Sequence, residues 1–168
     1  MGKFEDLRDT YEAFYYRGYN IDIEDNICKV RYDFEIPGLA KFNPTWQFPV
    51  MREYREDILD RLVFSLGMVE SISYYKCTCP KKVVVECGSL SKEQKLWWKK
   101  LFYNGLGEFM FINDISVSME ELMDIECSED VMVPFADEAT YEGALIPVGG
   151  GKDSVVSMEV LKDEKVAT

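Results

Sequence analysis

Residues 14–36 read FYYRGYNIDIEDNICKVRYDFEI, and apolar and polar side chains alternate on both sides of Asp25-Asn26. A period of two is typical of half-buried β-strands, and the Asp-Asn pair suits a tight turn, so the stretch predicts a β-hairpin. Residues 39–50, LAKFNPTWQFPV, follow a Pro-Gly turn and predict a third strand, whose prolines favour an edge position. The three strands together form a β-meander. The first twelve residues suit either a short helix or a loose lead-in.

Two helices and a further strand are predicted after the meander. Residues 55–75 are predicted to be helical because apolar side chains recur every three or four positions, at Ile58, Leu62, Leu66, Val69 and Ile72. Residues 81–87, KKVVVEC, predict a short buried strand. Ser91 and Gln94 have the spacing of a capping box, which predicts a second helix from Lys92 to about Tyr103.

The order of these segments predicts the domain organisation. Residues 1–113 are expected to form an α+β domain made of the meander and two main helices. Residues 114–143 are acidic and without clear periodicity, which indicates a linker. Residues 144–168 combine a strand-like run, a glycine-rich turn and a helical pattern. We interpret them as the first strand–loop–helix of an α/β domain.

Charge and composition disfavour nucleic acids and membranes as partners. The chain has 168 residues and a formal charge of −12, which disfavours binding to nucleic acid or to anionic membranes. No run is long and apolar enough to span a bilayer. Five cysteines, an odd number, occur without a secretory signal, as expected in a reducing cytoplasm. The chain has no histidine, which disfavours a metal site. The sequence leaves the oligomeric state open.

The segment GGGKDS, residues 149–154, has the composition of a phosphate-binding loop. Glycine lets the backbone approach an anion closely, and the helix that follows adds unpaired N–H groups and the positive end of its dipole. Two common motifs do not fit. Gly151-Lys152 is followed by Asp153 where a Walker A motif needs Ser or Thr, and Ser154 stands where the dinucleotide fingerprint needs glycine.

The loop instead resembles the S-G-G-x-D-S loop of the PP-loop ATP pyrophosphatases, with Gly149 in place of the first serine. Members of that family cleave ATP between the α and β phosphates and transfer AMP to a carboxylate or carbonyl oxygen. The resemblance implies ATP and Mg²⁺ as cofactors. It implies that Gly150, Gly151 and Ser154 cradle pyrophosphate. It also implies that Lys152 neutralises charge and that Asp153 acts through Mg²⁺ or by holding the loop.

A wider resemblance covers roughly residues 60–162. Residues 73–76 (SYYK), 104–109 (NGLGEF) and 149–154 occur in the order and spacing of the UDP-N-acetylmuramoyl-L-alanyl-L-glutamate epimerases. That family acts in the synthesis of peptidoglycan precursors. The resemblance implies an enzyme that uses ATP and Mg²⁺ to invert the terminal L-glutamate of a nucleotide-linked dipeptide to D-glutamate. An acyl-adenylate would form, and AMP and pyrophosphate would be released.

Such a reaction needs a base beside an activated carboxylate. An α-hydrogen next to a free carboxylate is very weakly acidic, because its removal places a second negative charge beside the first. Esterification to AMP removes that charge, after which a general base can take the proton. Glu108 and Tyr103 in YNGLGEF are the candidate bases. Lys76, Cys77 and Cys79 have suitable chemistry, but the cysteines do not belong to the family pattern.

A PP-loop domain needs several strands after its first helix, so we expect the chain to be truncated and inactive by itself.

Two alternatives to the epimerase stay open at this point. One is another PP-loop adenylating enzyme, of the amidotransferase or thiolation type. The other is a non-catalytic interaction module in which the loop is vestigial.

Overall fold

The computed structural model describes residues 3–50, 54–128 and 146–162. The helices are α1 (Lys3–Thr10), α2 (Glu56–Tyr75), α3 (Lys92–Gly105), α4 (Gly107–Ile112), α5 (Met119–Leu122) and α6 (Lys152–Leu161). The strands are β1 (Ala13–Glu24), β2 (Ile27–Ile36), β3 (Ala40–Phe42), β4 (Thr45–Pro49), β5 (Lys82–Ser89) and β6 (Asp124–Ser128). The chain divides into two compact units, Met1–Met132 and Val133–Thr168.

The predicted hairpin is confirmed. Strands β1 and β2 pair antiparallel from Tyr15↔Glu35 to Glu24↔Ile27. Asp25 and Asn26 at the turn have φ angles of 51° and 59°. Positive φ at both central residues is the geometry of a type I′ turn, and Asp and Asn tolerate it better than most residues.

The third predicted strand is interrupted. Strands β3 and β4 both pair antiparallel with β2, and Asn43-Pro44 separates them. The Asn43 side-chain amide donates to the Tyr32 carbonyl over 3.0 Å, and the Tyr32 N–H donates to the Pro44 carbonyl over 3.0 Å. The prediction of one continuous strand was therefore wrong, because this proline lies where the chain leaves the sheet.

Strand β5 was predicted, but its place in the sheet was not. The strand order is β3-β2-β1-β5-β6, with β4 also pairing with β2. Strands β1 and β5 pair in parallel, and so do β5 and β6. Helices α2 and α3 to α5 lie in the two connections between these parallel strands. The fold is thus mixed α/β, with one mixed sheet rather than a separate meander.

Part of the segment predicted to be an irregular linker is ordered. Residues 114–128 contain α5 and the strand β6, which pairs with β5. Leu122 and Met123 are almost fully buried, and Ser118 caps α5 through a capping box with Glu121. The prediction that residues 114–128 are irregular was therefore wrong, because their few apolar residues lie among many acidic ones and gave no clear periodicity. Residues 129–143 lie outside the described residues, and the domain boundaries stay a prediction.

The core of the first unit lies on one face of the sheet. Residues along β2 alternate between buried and more exposed positions, as a strand covered on one face requires. The largest fully buried side chains are mostly aromatic and include Phe14, Tyr16, Tyr32, Phe34, Tyr75 and Phe102. They come from β1, β2, α2 and α3. The periodicity predicted the wrong face of α2, because its buried residues include Val63, Phe64 and Met68, whereas Leu62 and Val69 are 63% and 48% exposed. Apolar residues occur on more than one side of this helix, so their spacing did not decide which side is buried.

Candidate functional site

The glycine-rich loop lies in the second unit, directly before α6. The strand predicted for its approach is not seen, since residues 146–148 have no regular structure and Ala144 and Leu145 lie outside the described residues. Gly150 has a φ of +77°, in the left-handed region where a side chain is strained. The loop therefore requires glycine at this position for its backbone path.

The N-terminus of α6 is open. Gly151 is the N-cap residue, with φ −89° and ψ 168°, and among the described residues no side chain caps the first turn. A Cβ atom built on Gly149, Gly150 or Gly151 would meet nothing within 4 Å. The unpaired N–H groups and the positive end of the helix dipole can thus be approached by an anion.

Ser154 holds the loop rather than pointing away from it. Its hydroxyl accepts a hydrogen bond from the Gly149 N–H over 3.2 Å and donates one to the Pro147 carbonyl over 3.2 Å. These two bonds tie the start of the loop to the first turn of α6. Lys152 and Asp153, the first two residues of that turn, have exposed side chains.

Helix α6 itself was predicted and is confirmed as a helix. None of its residues is buried, and Val155, Val156 and Val160 are 58%, 60% and 68% exposed. An isolated helix of this length is marginal in water, because most helical stability comes from packing an apolar face.

Tyr103 and Glu108, the candidate bases, lie in the first unit. Helix α3 ends at Gly105 and α4 begins at Gly107, so the two glycines of NGLGEF lie where one helix gives way to the next. The Tyr103 hydroxyl donates to the Val117 carbonyl over 3.2 Å. Glu108 is exposed in the first turn of α4.

Two of the cysteines, Cys79 and Cys87, are poorly suited to act as nucleophiles. All five are free, and burial raises the pKa of Cys79 and of Cys87 to about 12. A thiol with so high a pKa is protonated at neutral pH and is a poor nucleophile. Across residues 3–50, 54–128 and 146–162, no group of three or more His, Cys, Asp or Glu side chains is arranged to hold a metal ion.

Among the same described residues, no helix combines the length and the apolar character that crossing a bilayer requires. The longest helix, α2, has 20 residues and carries charged side chains along its length.

Comparison with known proteins gives consistent similarities. A relative from Micromonospora sp., named UDP-N-acetyl-alpha-D-muramoyl-L-alanyl-L-glutamate epimerase, is 29% identical over 167 residues, which cover 94% of this chain and 36% of the relative. Proteins with the same name from Salinispora tropica and Xanthomonas oryzae pv. oryzae are 26% and 27% identical over 163 and 97 residues. These alignments cover 94% and 58% of this chain, and 35% and 21% of the relatives. The chain thus spans about a third of the length of the Micromonospora and Salinispora relatives.

A family model described as the MurL N-terminal domain matches residues 5–168, which include both the mixed sheet and the glycine-rich loop. The match covers nearly the whole sequence, and it agrees with the names of the relatives. This chain belongs to the MurL N-terminal domain family.

Proposed function

We propose that the complete protein is an epimerase that inverts the terminal L-glutamate of UDP-N-acetylmuramoyl-L-alanyl-L-glutamate to D-glutamate. The observation that carries this proposal is the family match over residues 5–168, together with three relatives that bear the name of this epimerase. The product would serve in the synthesis of a peptidoglycan precursor.

We also propose that the reaction depends on ATP and Mg²⁺ bound at the glycine-rich loop. The loop residues fit an anionic ligand, because Gly149, Gly150 and Gly151 leave open space and the first turn of α6 has no side-chain cap. ATP would supply the AMP group that neutralises the glutamate carboxylate and makes the α-hydrogen acidic enough to remove. The N–H groups of Gly150 and Gly151 would bind phosphate oxygens.

The charged residues of the loop have separate roles in this proposal. The Lys152 ammonium would offset phosphate charge, and the Asp153 carboxylate would bind Mg²⁺. Because no cluster of metal ligands is found in the described part of the chain, Asp153 would share the ion with phosphate oxygens and water, as Mg²⁺ sites with nucleotides commonly do. Ser154 would keep the loop in shape, since its hydroxyl already joins Gly149 to Pro147.

Glu108 suits the general base better than Tyr103. Its carboxyl group is exposed, whereas the Tyr103 hydroxyl is engaged with the Val117 carbonyl. We propose that Glu108 removes the α-proton of the adenylated glutamate. A proton from solvent would then be added on the opposite face, and water would hydrolyse the adenylate to the free carboxylate and AMP. Tyr103 would hold α3 against the segment after α4.

Solvent exchange tests the proposal. The complete protein is incubated in D₂O with UDP-N-acetylmuramoyl-L-alanyl-L-glutamate, Mg²⁺ and ATP. We expect one deuterium in the product by mass spectrometry, D-glutamate by chiral analysis, and AMP as the nucleotide product. The chain of residues 1–168 is expected to give none of these three products.

Three outcomes would contradict parts of the proposal. Exchange without ATP would show that the base acts on a free carboxylate. ADP in place of AMP would indicate an acyl phosphate and would remove the PP-loop assignment. Pyrophosphate release without exchange would keep the loop chemistry but move the protein to another adenylating reaction.

A further inference from the structure

The face of the sheet that turns away from the core carries a polar groove. Cys28, Val30 and Tyr32 on β2 are buried, so the alternating residues Lys29 and Arg31 lie on the opposite face. A groove of about 440 Å³ opens there, and its lining includes Arg17, Gly18, Asn20, Arg31, Asp33 and Asn43. Its residues are distant in sequence and come together only through the strand register, so no contiguous motif marks the groove.

A β-bulge shapes the floor of this groove. Tyr16 pairs with Phe34 and Gly18 pairs with Asp33, so Arg17 has no residue opposite it on β2. A Cβ atom on Gly18 would meet nothing within 4 Å, and the φ of Gly18 lies outside the left-handed region. Backbone forms this part of the floor, and the space above it can accept a ligand.

The two arginines that line the groove differ in their ion pairs. The Arg17 Nε lies 3.0 Å from a Glu35 carboxylate oxygen, its Nη1 pairs with Glu86, and its guanidinium stacks 3.8 Å above the Tyr15 ring. Arg17 is therefore neutralised and held in place. Arg31 is exposed, and it forms no ion pair within the described ranges 3–50, 54–128 and 146–162.

An unpaired arginine is notable in a chain with 31 acidic and 19 basic residues. Asn20 faces Arg31 across the register of β1 and β2, so an amide and a guanidinium flank the same space. A guanidinium presents a planar fork of donors that matches the oxygens of a phosphate or a carboxylate.

We propose that this groove binds an oxyanion of the substrate, with the Arg31 guanidinium as its main partner and Asn20 as a second donor. Asp33 supplies an acceptor for a hydroxyl or N–H group of the same ligand. The proposal rests on the proposed function, because a nucleotide-linked dipeptide offers both a diphosphate and carboxylates. The diphosphate and the carboxylates both present anionic oxygens to the Arg31 guanidinium, and separate probes distinguish the two groups.

The test is an NMR titration of the chain of residues 1–168, which needs no turnover. The probes are UDP, which carries the diphosphate, and L-alanyl-L-glutamate, which carries the carboxylates. We expect at least one probe to shift the side-chain amide signals of Asn20 and Asn43. Arg31→Gln should weaken that binding by about tenfold or more, since charge-assisted hydrogen bonds are lost.

Two further variants make the test specific. Lys29→Gln removes the same charge from the same face of β2, two residues away and outside the groove lining, and should weaken binding less than about twofold. Gly18→Val should fill the groove and abolish binding while the protein stays folded, because its side chain enters open space.

Several results would overturn the proposal. One is equal weakening by Arg31→Gln and Lys29→Gln, which would indicate a diffuse charge effect. Another is binding that Gly18→Val leaves intact in a folded protein. A third is a set of shifts confined to residues 149–154, which would reject the groove but keep the loop as a nucleotide site. Absence of any shift with either probe would also reject it, without bearing on ATP chemistry in the complete protein.

Discussion

Helices α3 and α6 begin with similar backbone conformations but complete their first turns differently. The N-cap residue of α3, Ser91, has φ −65° and ψ 167°, and that of α6, Gly151, has φ −89° and ψ 168°. The Ser91 hydroxyl accepts from the Gln94 N–H over 3.2 Å, and the Gln94 side chain accepts from the Ser91 N–H over 2.8 Å. Gly151 provides no such acceptor.

The difference extends from the caps to the packing of the two helices. Helix α3 buries Trp98 and Phe102 in the core, whereas α6 buries no residue. A capped and packed helix end contributes to the stability of the fold. An uncapped end beside open glycines retains its N–H groups for a ligand. The first region is thus built for stability, and the second is the region to which the proposed function assigns binding.

The largest expected effect is on activity, at the loop. Asp153→Ala in the complete protein should lower pyrophosphate release by about 100-fold or more, because the proposed Mg²⁺ ligand and its electrostatic stabilisation are lost. Circular dichroism should stay unchanged, since the Asp153 side chain is exposed. Glu159→Ala is the control, because Glu159 is an exposed carboxylate on the same helix. Normal pyrophosphate release by Asp153→Ala would remove the loop from the mechanism.

A pair of glycine variants sharpens the contrast in packing. A Cβ atom on Gly67 in α2 would overlap the Tyr16 hydroxyl and lie 2.7 Å from Tyr32 Cε1, and both rings are fully buried. Gly67→Ala should therefore lower the free energy of unfolding by about 1–3 kcal/mol through overpacking. Gly149→Ala places its Cβ atom in open space and should change it by less than about 0.5 kcal/mol.

Urea unfolding of the chain of residues 1–168, followed by circular dichroism, measures both variants. Similar losses at Gly67 and Gly149 would mean that the loop is packed as tightly as the core. That result would contradict the division between the two regions.

Local sequence signals predicted the local parts of the fold. The hairpin around Asp25-Asn26, helix α2 and the capping box of α3 each depend on residues close together in the chain, so spacing and turn chemistry were sufficient. The parallel pairing of β5 with β1 depends on contacts between distant residues, which no periodicity reveals. Strand β6 was missed because its acidic residues alternate with only two apolar ones, the buried Ile125 and the half-buried Cys127.

The candidate site was predictable to a similar degree. The glycines and Asp153 identified the loop, because their pattern is contiguous. The internal hydrogen bonds of Ser154 and the engagement of Tyr103 with Val117 are three-dimensional facts that residue types do not determine. The roles of Glu108 and of the loop residues in catalysis stay predictions.

A smaller effect is expected at the capped helix end. Ser91→Ala removes one half of the capping box of α3 and should lower the free energy of unfolding by about 1 kcal/mol. Pyrophosphate release by the complete protein should not change. Ser157→Ala serves as the control, because its hydroxyl donates only to the Asp153 carbonyl within α6. A loss of activity in Ser91→Ala without a loss of stability would assign α3 a direct role in the reaction.

The smallest effect on stability, with the opposite sign, is expected from Gly151→Ser. The backbone of Gly151 already has the extended conformation of a capping serine, and the new Cβ atom would meet nothing within 4 Å. The added hydroxyl should accept a hydrogen bond from the Asp153 or Ser154 N–H and stabilise α6 by a few tenths of a kcal/mol. Amide hydrogen exchange in α6 should slow accordingly.

The same hydroxyl would compete with phosphate for those N–H groups, so pyrophosphate release should fall by about tenfold. Gly151→Ala adds the Cβ atom without the oxygen and separates capping from steric hindrance. An equal loss of activity in both variants would favour steric hindrance. Full activity in Gly151→Ser, with slower exchange, would show that the open end of α6 does not bind the anion.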